Sequence, residues 1–284
     1  MDAKLIRYDR AEAFLGDVGE TLYARAAVNN LMLGICERLV QEPQAYNNPH
    51  FIAVKSPSGD LLLAAVMTPP HNLILAEKAD FQLGLPSLTN YLWENEIAIP
   101  GVIGPVQCAE VFFDRWREVS GQAGEVTMYQ RVYELRQVHL PELPSGNCRV
   151  ARPEDARRIA EWVQSFEHEA LGKEQPLKQD WAGRVAREGK VFLWEDGGQP
   201  VAMAMGTRPL QHSITVSAVY TPPEHRRHGY ATVLVARLSQ HLLEMGYEFI
   251  TLFTDLDNPT SNSIYQKIGY RPVTDFRSYK FKQK

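Results

Sequence analysis

The stretch Val219-Tyr-Thr-Pro-Pro-Glu-His-Arg-Arg-His-Gly-Tyr-Ala231 decides how this chain is read. It continues Ser213–Tyr220 (SITVSAVY), a run rich in β-branched residues that predicts a strand. It opens Tyr230–Met245, whose apolar spacing predicts a helix ended by Gly246. A helix N-terminus has unpaired N–H groups and a partial positive charge, so such a turn can hold a phosphate or pyrophosphate. Gly229 and Ala231 are small enough for the backbone to approach that anion, and His225, Arg226, Arg227 and His228 add charge beside it. A glycine turn with solvated arginines has the same short pattern. Other nucleotide motifs fit worse: the Gly-Lys-Ser/Thr ending of a P-loop is missing. One glycine also falls short of the dinucleotide fingerprint, which needs three and a later acid.

A second informative stretch follows the predicted strand Phe249–Phe253. In Asn258-Pro-Thr-Ser-Asn-Ser-Ile-Tyr-Gln-Lys-Ile-Gly-Tyr270, Asn258 suits an N-cap and Pro259 the first helical position. The spacing predicts a short helix over Pro259–Ile268, closed by Gly269 and carrying Tyr265 two turns in. Working outward, Ala156–Ala170 is helical in pattern through Ile159, Trp162, Val163 and Phe166, and a further helix is expected over Lys178–Arg187. Val191–Trp194 and Val201–Met205 flank an acidic Gly-Gly turn and predict a hairpin. The tail Phe276–Lys282 alternates and reads as an edge strand with outward charges. Strands with helices inserted among them give an α/β class, an α+β mixed sheet.

The first half carries a faint echo of this plan. Phe51–Val54, a polar turn and Leu61–Met67 repeat the hairpin, Leu73–Ala76 follows as a strand, and Gly101-Val-Ile-Gly104 precedes a helical stretch, Val106–Val119. Val126–Leu135 alternates like a closing strand, and His139–Asn147, with two prolines and a glycine, reads as a linker. These features predict two domains, residues 1–140 and 148–284, related by duplication, as the length of 284 also suggests at roughly 150 residues per domain. Two unrelated α/β halves are the alternative. The first half has no matching loop, because Pro100–Pro105 lacks the arginine and Pro105 has no N–H to offer.

Composition narrows the partners. With 44% apolar and 23% charged residues the chain is an ordinary globular sequence, and its net charge of −4 gives no field that gathers nucleic acid. Cys36, Cys108 and Cys148 are widely spaced with no zinc-type pairing, so neither disulfides nor a metal site is expected. Met1–Arg10 mixes both charges without an apolar run, and no stretch approaches the roughly 20 apolar residues of a membrane helix. A cytoplasmic protein without membrane contact is expected.

The two stretches together, about 27 residues apart, resemble the GNAT superfamily of acyl-CoA N-acyltransferases, whose pattern is Gln/Arg-x-x-Gly-x-Gly/Ala followed by Asn…Tyr-x-x-x-Gly-Phe/Tyr. The resemblance covers Cys148 to Lys284 and is nearest to bacterial members with a degenerate first domain, that is, tandem GNAT-like domains of which the C-terminal one keeps the acyl-CoA loop. It implies acetyl-CoA as cofactor and an amine acceptor, small molecule or peptide, attacked within a ternary complex. It also implies that the backbone of Arg226, Arg227, His228, Gly229, Tyr230 and Ala231 holds the pyrophosphate and that Val219, Tyr220 and Thr221 pair with the pantetheine arm. Asn258, with Asn262 as a second candidate, contacts that arm, and Tyr265 protonates the departing thiolate, a role that suits a neutral phenol. Arg227 departs from the family, which commonly has glycine there; its side chain either points outward or meets the 3′-phosphate. The predicted strand Ser213–Tyr220 has no carboxylate to serve as base, and Glu167, His168 and Glu169 are substitutes. The first half is left to wall the acceptor cleft or to form a homodimer contact. A coenzyme A-binding sensor or scaffold without turnover is the alternative function.

Overall fold

A computed structural model describes residues 3–142, 144–172, 177 and 180–282. The chain runs β1 (Lys4–Tyr8), α1 (Ala11–Tyr23), α2 (Ala26–Gln41), β2 (His50–Lys55), β3 (Leu61–Met67), β4 (Leu73–Glu77), α3 (Leu85–Glu94), β5 (Gly101–Pro105), α4 (Val106–Ser120) and β6 (Gly124–Leu135). It continues with β7 (Asn147–Val150), α5 (Ala156–Leu171), α6 (Trp181–Arg187), β8 (Val191–Asp196), β9 (Gln199–Thr207), β10 (Ser213–Tyr220), α7 (Tyr230–Glu244), β11 (Phe249–Asp255), α8 (Pro259–Ile268) and β12 (Arg271–Phe281). Of the helix expected over Lys178–Arg187, α6 supplies Trp181–Arg187, and Lys178 and Gln179 lie outside the described residues.

Two compact units share these elements. The first holds the described residues up to Val132, Thr254–Asn258, and those from Pro272 onward; the second holds Tyr133–Phe253 and Pro259–Arg271. Both repeat one order: a strand, two helices, an antiparallel hairpin, then a strand, a helix and a strand parallel to the one before. The fold is therefore mixed α/β, with the same plan twice.

In the first unit the strands lie in the order β1-β2-β3-β4-β5-β12-β6. All seven residues of β3 (LLLAAVM) are buried, which an uninterrupted apolar run achieves only where both faces are covered. Two expectations are corrected here. The sequence sets Gly101–Gly104 before a helix in the place the second half gives to its turn, but these residues form β5. A Cβ at Gly101 would stand 2.2 Å from the Tyr279 carbonyl oxygen and one at Gly104 would stand 3.1 Å from Leu75 Cβ, so these glycines let neighbouring strands close up. The tail is likewise no edge strand. Phe276–Lys280 pairs antiparallel with Pro105–Gly101, and Thr127 Oγ1 of β6 donates to the Ser278 carbonyl on the other side. Alternation reports which face of a strand is buried; it carries no information about what flanks it.

The second unit orders its strands β11-β10-β9-β8-β7. Its core joins Phe192, Trp194, Val201, Ala202, Ala204, Ile214 and Val216 of the sheet to Val233, Leu234, Leu238 and Leu242 of α7. Tyr133 and Leu135, from the far end of β6, lie in that same core. Arg149 holds β7 to the entry of α5, with its guanidinium 2.6 Å from Asp155 and 2.9 Å from Glu195.

Candidate functional site

The site grows from a strand that loses its neighbour. β10 is registered with β11 over Ser213–Thr215 opposite Phe249–Thr251, and the pairing stops there. On its other side the register with β9 shifts between Ser217 and Tyr220, where Ala218 takes φ +48°. A bulge of this kind bends a strand and redirects its end. The segment Val216–Tyr220 thus presents backbone on the β11 side with no registered partner among the described residues. Thr221, just beyond it, has a buried Oγ1 with no hydrogen-bond partner among the described residues. Each is a feature that an extended amide chain laid along β10 could satisfy.

The loop after the strand is a short 3₁₀ turn, Pro223–His225, followed by an abrupt entry into α7. Two residues there have positive φ: Arg227 at +67° and Gly229 at +83°. Gly229 is the N-cap of α7, and its carbonyl accepts the first helical bond, from Val233 N–H at 3.2 Å. Among the described residues no acceptor is recorded for the N–H groups of Arg227, His228, Gly229, Tyr230, Ala231 and Thr232. A Cβ placed on Gly229 meets nothing within 4 Å, so this backbone faces open space. Six unpaired donors stand at the positive end of a 15-residue helix, the kind of backbone to which an anion can bind.

Arg227 occupies the place where the resemblance leads one to expect glycine, and its left-handed backbone gives the reason for that preference. An L-residue in that region costs about 1 kcal/mol, and glycine avoids the cost. Replacing a residue by glycine loses a similar ~0.4–1 kcal/mol through the unfolded chain. Because the Arg227 side chain is exposed, Arg227→Gly should leave stability within about 0.5 kcal/mol. Arg227→Val, β-branched at the same φ, should lower it by ~1–2 kcal/mol. Urea denaturation of the three proteins checks both values, and a loss above 2 kcal/mol for Arg227→Gly would contradict the backbone explanation.

The side chains of the loop point to different tasks. Arg226 turns back: its Nε donates to the Thr221 carbonyl at 2.9 Å and its Nη2 to Glu169 Oε2 at 2.6 Å. The Tyr220 hydroxyl donates to the other Glu169 oxygen at 3.2 Å. Arg226 therefore clamps the end of α5 to the end of β10, and the Glu169 carboxylate is already occupied by two donors. His228 stacks on Tyr230 with ring centroids 5.5 Å apart. The Tyr230 hydroxyl donates to Asp196 at 2.6 Å; that bond is the main reason the Asp196 carboxyl is held below its usual range and the Tyr230 phenol above its own. No sequence signal marked Asp196 as the partner of Tyr230.

Tyr265 lies in the second unit's core with Tyr230, and Val219 and Ile264 pack against the same cluster. It is 8% exposed, and burial alone pushes its phenol up to about 12, so the group stays protonated throughout the neutral range. Asn262, three residues earlier on α8, accepts from the Tyr133 hydroxyl at 3.2 Å. Asn258 stands apart from these: it closes the segment Thr254–Asn258 of the first unit, where its N–H donates to the Asp255 carbonyl at 3.1 Å.

The corresponding connection in the first unit lies between β4 and α3, not at Pro100–Pro105. There the N–H groups of Lys78, Phe81, Leu83 and Gly84 are spent on Leu62, Lys78, Asp80 and Phe81 carbonyls, Pro86 has none, and Phe81 and Leu85 fill the core. Fewer of that turn's N–H groups are left unpaired than at the head of α7. Among the described residues, no three His, Cys, Asp or Glu side chains gather as a metal site, and no helix is long and apolar enough to cross a membrane.

Residues 156–270 match the family model of the acetyltransferase (GNAT) family. No curated protein matches the chain significantly. Among solved structures, a GCN5-related N-acetyltransferase from Sphaerobacter thermophilus is similar with a TM-score of 0.66 at 15% identity, over 98% of this chain and 95% of that one. A Drosophila protein reaches 0.67 at 14% identity over 99% and 98%. A tandem GNAT protein from the clavulanic acid biosynthesis pathway reaches 0.58 at 11% identity over 98% of both chains. At these identities the likeness is one of fold, and it extends over both units.

Proposed function

Since residues 156–270 carry a domain of the acetyltransferase (GNAT) family, we propose that this chain transfers an acetyl group from acetyl-CoA to an amine. One observation carries the reading: the six unpaired N–H groups from Arg227 to Thr232 at the head of α7, continuous in sequence with the bare edge of β10. A pyrophosphate fits the first feature and the amides of a pantetheine arm fit the second, with the orphaned Thr221 hydroxyl as a further donor beside it. Val219, Tyr220 and Thr221 then hold the arm, and the backbone of Arg226–Ala231 holds the diphosphate. Asn258 is the amide assigned to the arm, with Asn262 of α8 as the second candidate.

In this reading the amine nitrogen bonds to the carbonyl carbon, the carbon–sulfur bond breaks, and the sulfur takes a proton from Tyr265. The nitrogen gives up its own proton to solvent or to a base. Holding both reactants in one orientation supplies much of the rate. Tyr265 holds its proton throughout the neutral range, as an acid in this role must, although the burial that pushes its phenol up to about 12 also makes it a weaker donor. Glu169 is a weak candidate for the base, since Arg226 and Tyr220 already occupy its two oxygens. That leaves Glu167, His168 or a water chain for the amine proton. It also gives the alternative, coenzyme A binding without turnover, its one supporting observation.

Thiol release from acetyl-CoA across a panel of amines separates the two. Turnover that falls about 10²-fold or more in Tyr265→Phe, with coenzyme A affinity kept, supports the transferase. Tight binding with no turnover and no effect of Tyr265→Phe supports the sensor.

A further inference from the structure

α8 is a short helix, and among its ten residues Tyr265 and Ile268 are the buried ones. These two, with the part-buried Ile264 packed on the same cluster, attach the element that carries the proposed acid by apolar contact. A polar attachment comes from a distant part of the chain. Tyr133, fully buried, donates its hydroxyl proton to Asn262 Oδ1 at 3.2 Å and accepts from Gln266 Nε2 at 3.1 Å. Asn262 and Gln266 are four apart and so lie one above the other on a single helical face. One hydroxyl thus bridges two successive turns, and its donor and acceptor capacity are both used. The ring of Tyr133 also packs on Tyr265, centroids 6.4 Å apart and planes at 55°.

We infer that Tyr133 is a positioning residue: it sets the rotation of α8 and, through it, the direction in which the Tyr265 hydroxyl points. Bonds to two successive turns of one face resist both rotation and tilt of the helix more firmly than a bond to one turn. The ring contact at the same time limits the rotamers open to Tyr265. Tyr133 does not touch the reacting atoms; its effect on rate runs through Tyr265. This inference rests on the reading of Tyr265 as the acid, and the test below separates the two.

The full chain and its Tyr133→Phe variant, which keeps the ring and loses the bridge, are compared in two ways. In hydrogen–deuterium exchange, peptides covering Asn262–Ile268 should exchange about tenfold faster in the variant while β8 and β9 stay unchanged. Equal exchange in the two proteins overturns the inference. With acetyl-CoA and the best amine of the panel, kcat should fall about 10- to 100-fold, the scale of a misplaced catalytic group, while KM for acetyl-CoA stays within about twofold. In a Tyr265→Phe background the same substitution should change nothing further. A loss of equal size in both backgrounds overturns the inference, because Tyr133 then acts by another route. If Tyr265→Phe itself is without effect, the acid assignment fails, and the exchange measurement still decides whether Tyr133 holds α8.

Discussion

Gly229→Asp is expected to weaken coenzyme A binding by at least about 100-fold, near 2.7 kcal/mol. Three costs combine in one atom group. The backbone at φ +83° disfavours any side chain, although aspartate tolerates the left-handed region better than most. A Cβ at this position projects into the open space in front of the unpaired N–H groups, where the anion is proposed to sit. The carboxylate then adds like charge, worth about 1–4 kcal/mol at 4 Å for an effective dielectric constant between that of water and that of a protein surface. Gly229→Ala separates these causes, since it brings the Cβ without the charge, and its loss should be intermediate. Titration calorimetry with coenzyme A measures both, and circular dichroism checks that the helix has formed. An affinity for Gly229→Asp within threefold of the parent would sink the pyrophosphate assignment.

The second large effect concerns the recognisable half taken alone. A chain of residues 148–284 is expected to lack cooperative unfolding and to bind no coenzyme A. The compact second unit begins at Tyr133, so that fragment loses Tyr133 and Leu135, 0% and 1% exposed, from the core around α7. Truncating one buried leucine or aromatic costs roughly 2–5 kcal/mol. Losing both costs a large part of the roughly 5–15 kcal/mol that holds a domain. The fragment also strands β12, whose residues from Pro272 onward pair within the first unit. A chain of residues 124–284 restores β6 and should recover helical signal around α7. Thermal melts followed by circular dichroism decide this. A sharp transition with retained coenzyme A affinity for 148–284 would show that β6 is dispensable.

Much of the site was legible because its chemistry is local. Gly229, the proline at 259 and the small residue at 231 act on their own backbone, so their spacing alone locates two helix starts, and the anion site proposed at the first rests on the same local geometry. The hairpins β2–β3 and β8–β9 were legible for the same reason, since their partners are neighbours in sequence. Arg227 is instructive: the chain departs from the expected glycine, yet the backbone keeps the conformation that glycine would take.

The misreadings share a cause. Gly101 and Gly104 carry the mark of a turn, but glycine in a strand also serves close approach, and only the facing Tyr279 carbonyl and Leu75 side chain tell the two apart. Glu169 stands in the sequence only as one of three substitutes for a base. Its role follows from Arg226 and Tyr220, more than fifty residues away. Residues 11–41, which form α1 and α2, gave no reading at all, and α3 was missed because Pro86 and the short run to Glu94 look like loop.

By itself, then, the sequence determined the elements and the chemistry that depend on spacing within one segment: a strand, a glycine turn, a helix whose N–H groups face outward, and a tyrosine two turns into a second helix. The tertiary structure alone decided which distant residues complete them. It put Tyr133 on α8, Arg226 on Glu169, Tyr230 on Asp196, and the last strand between β5 and β6. The physical reason is that a turn's φ and a helix's orphan donors are set by neighbours along the chain, whereas strand partners and side-chain bridges are set by packing, which periodicity does not encode.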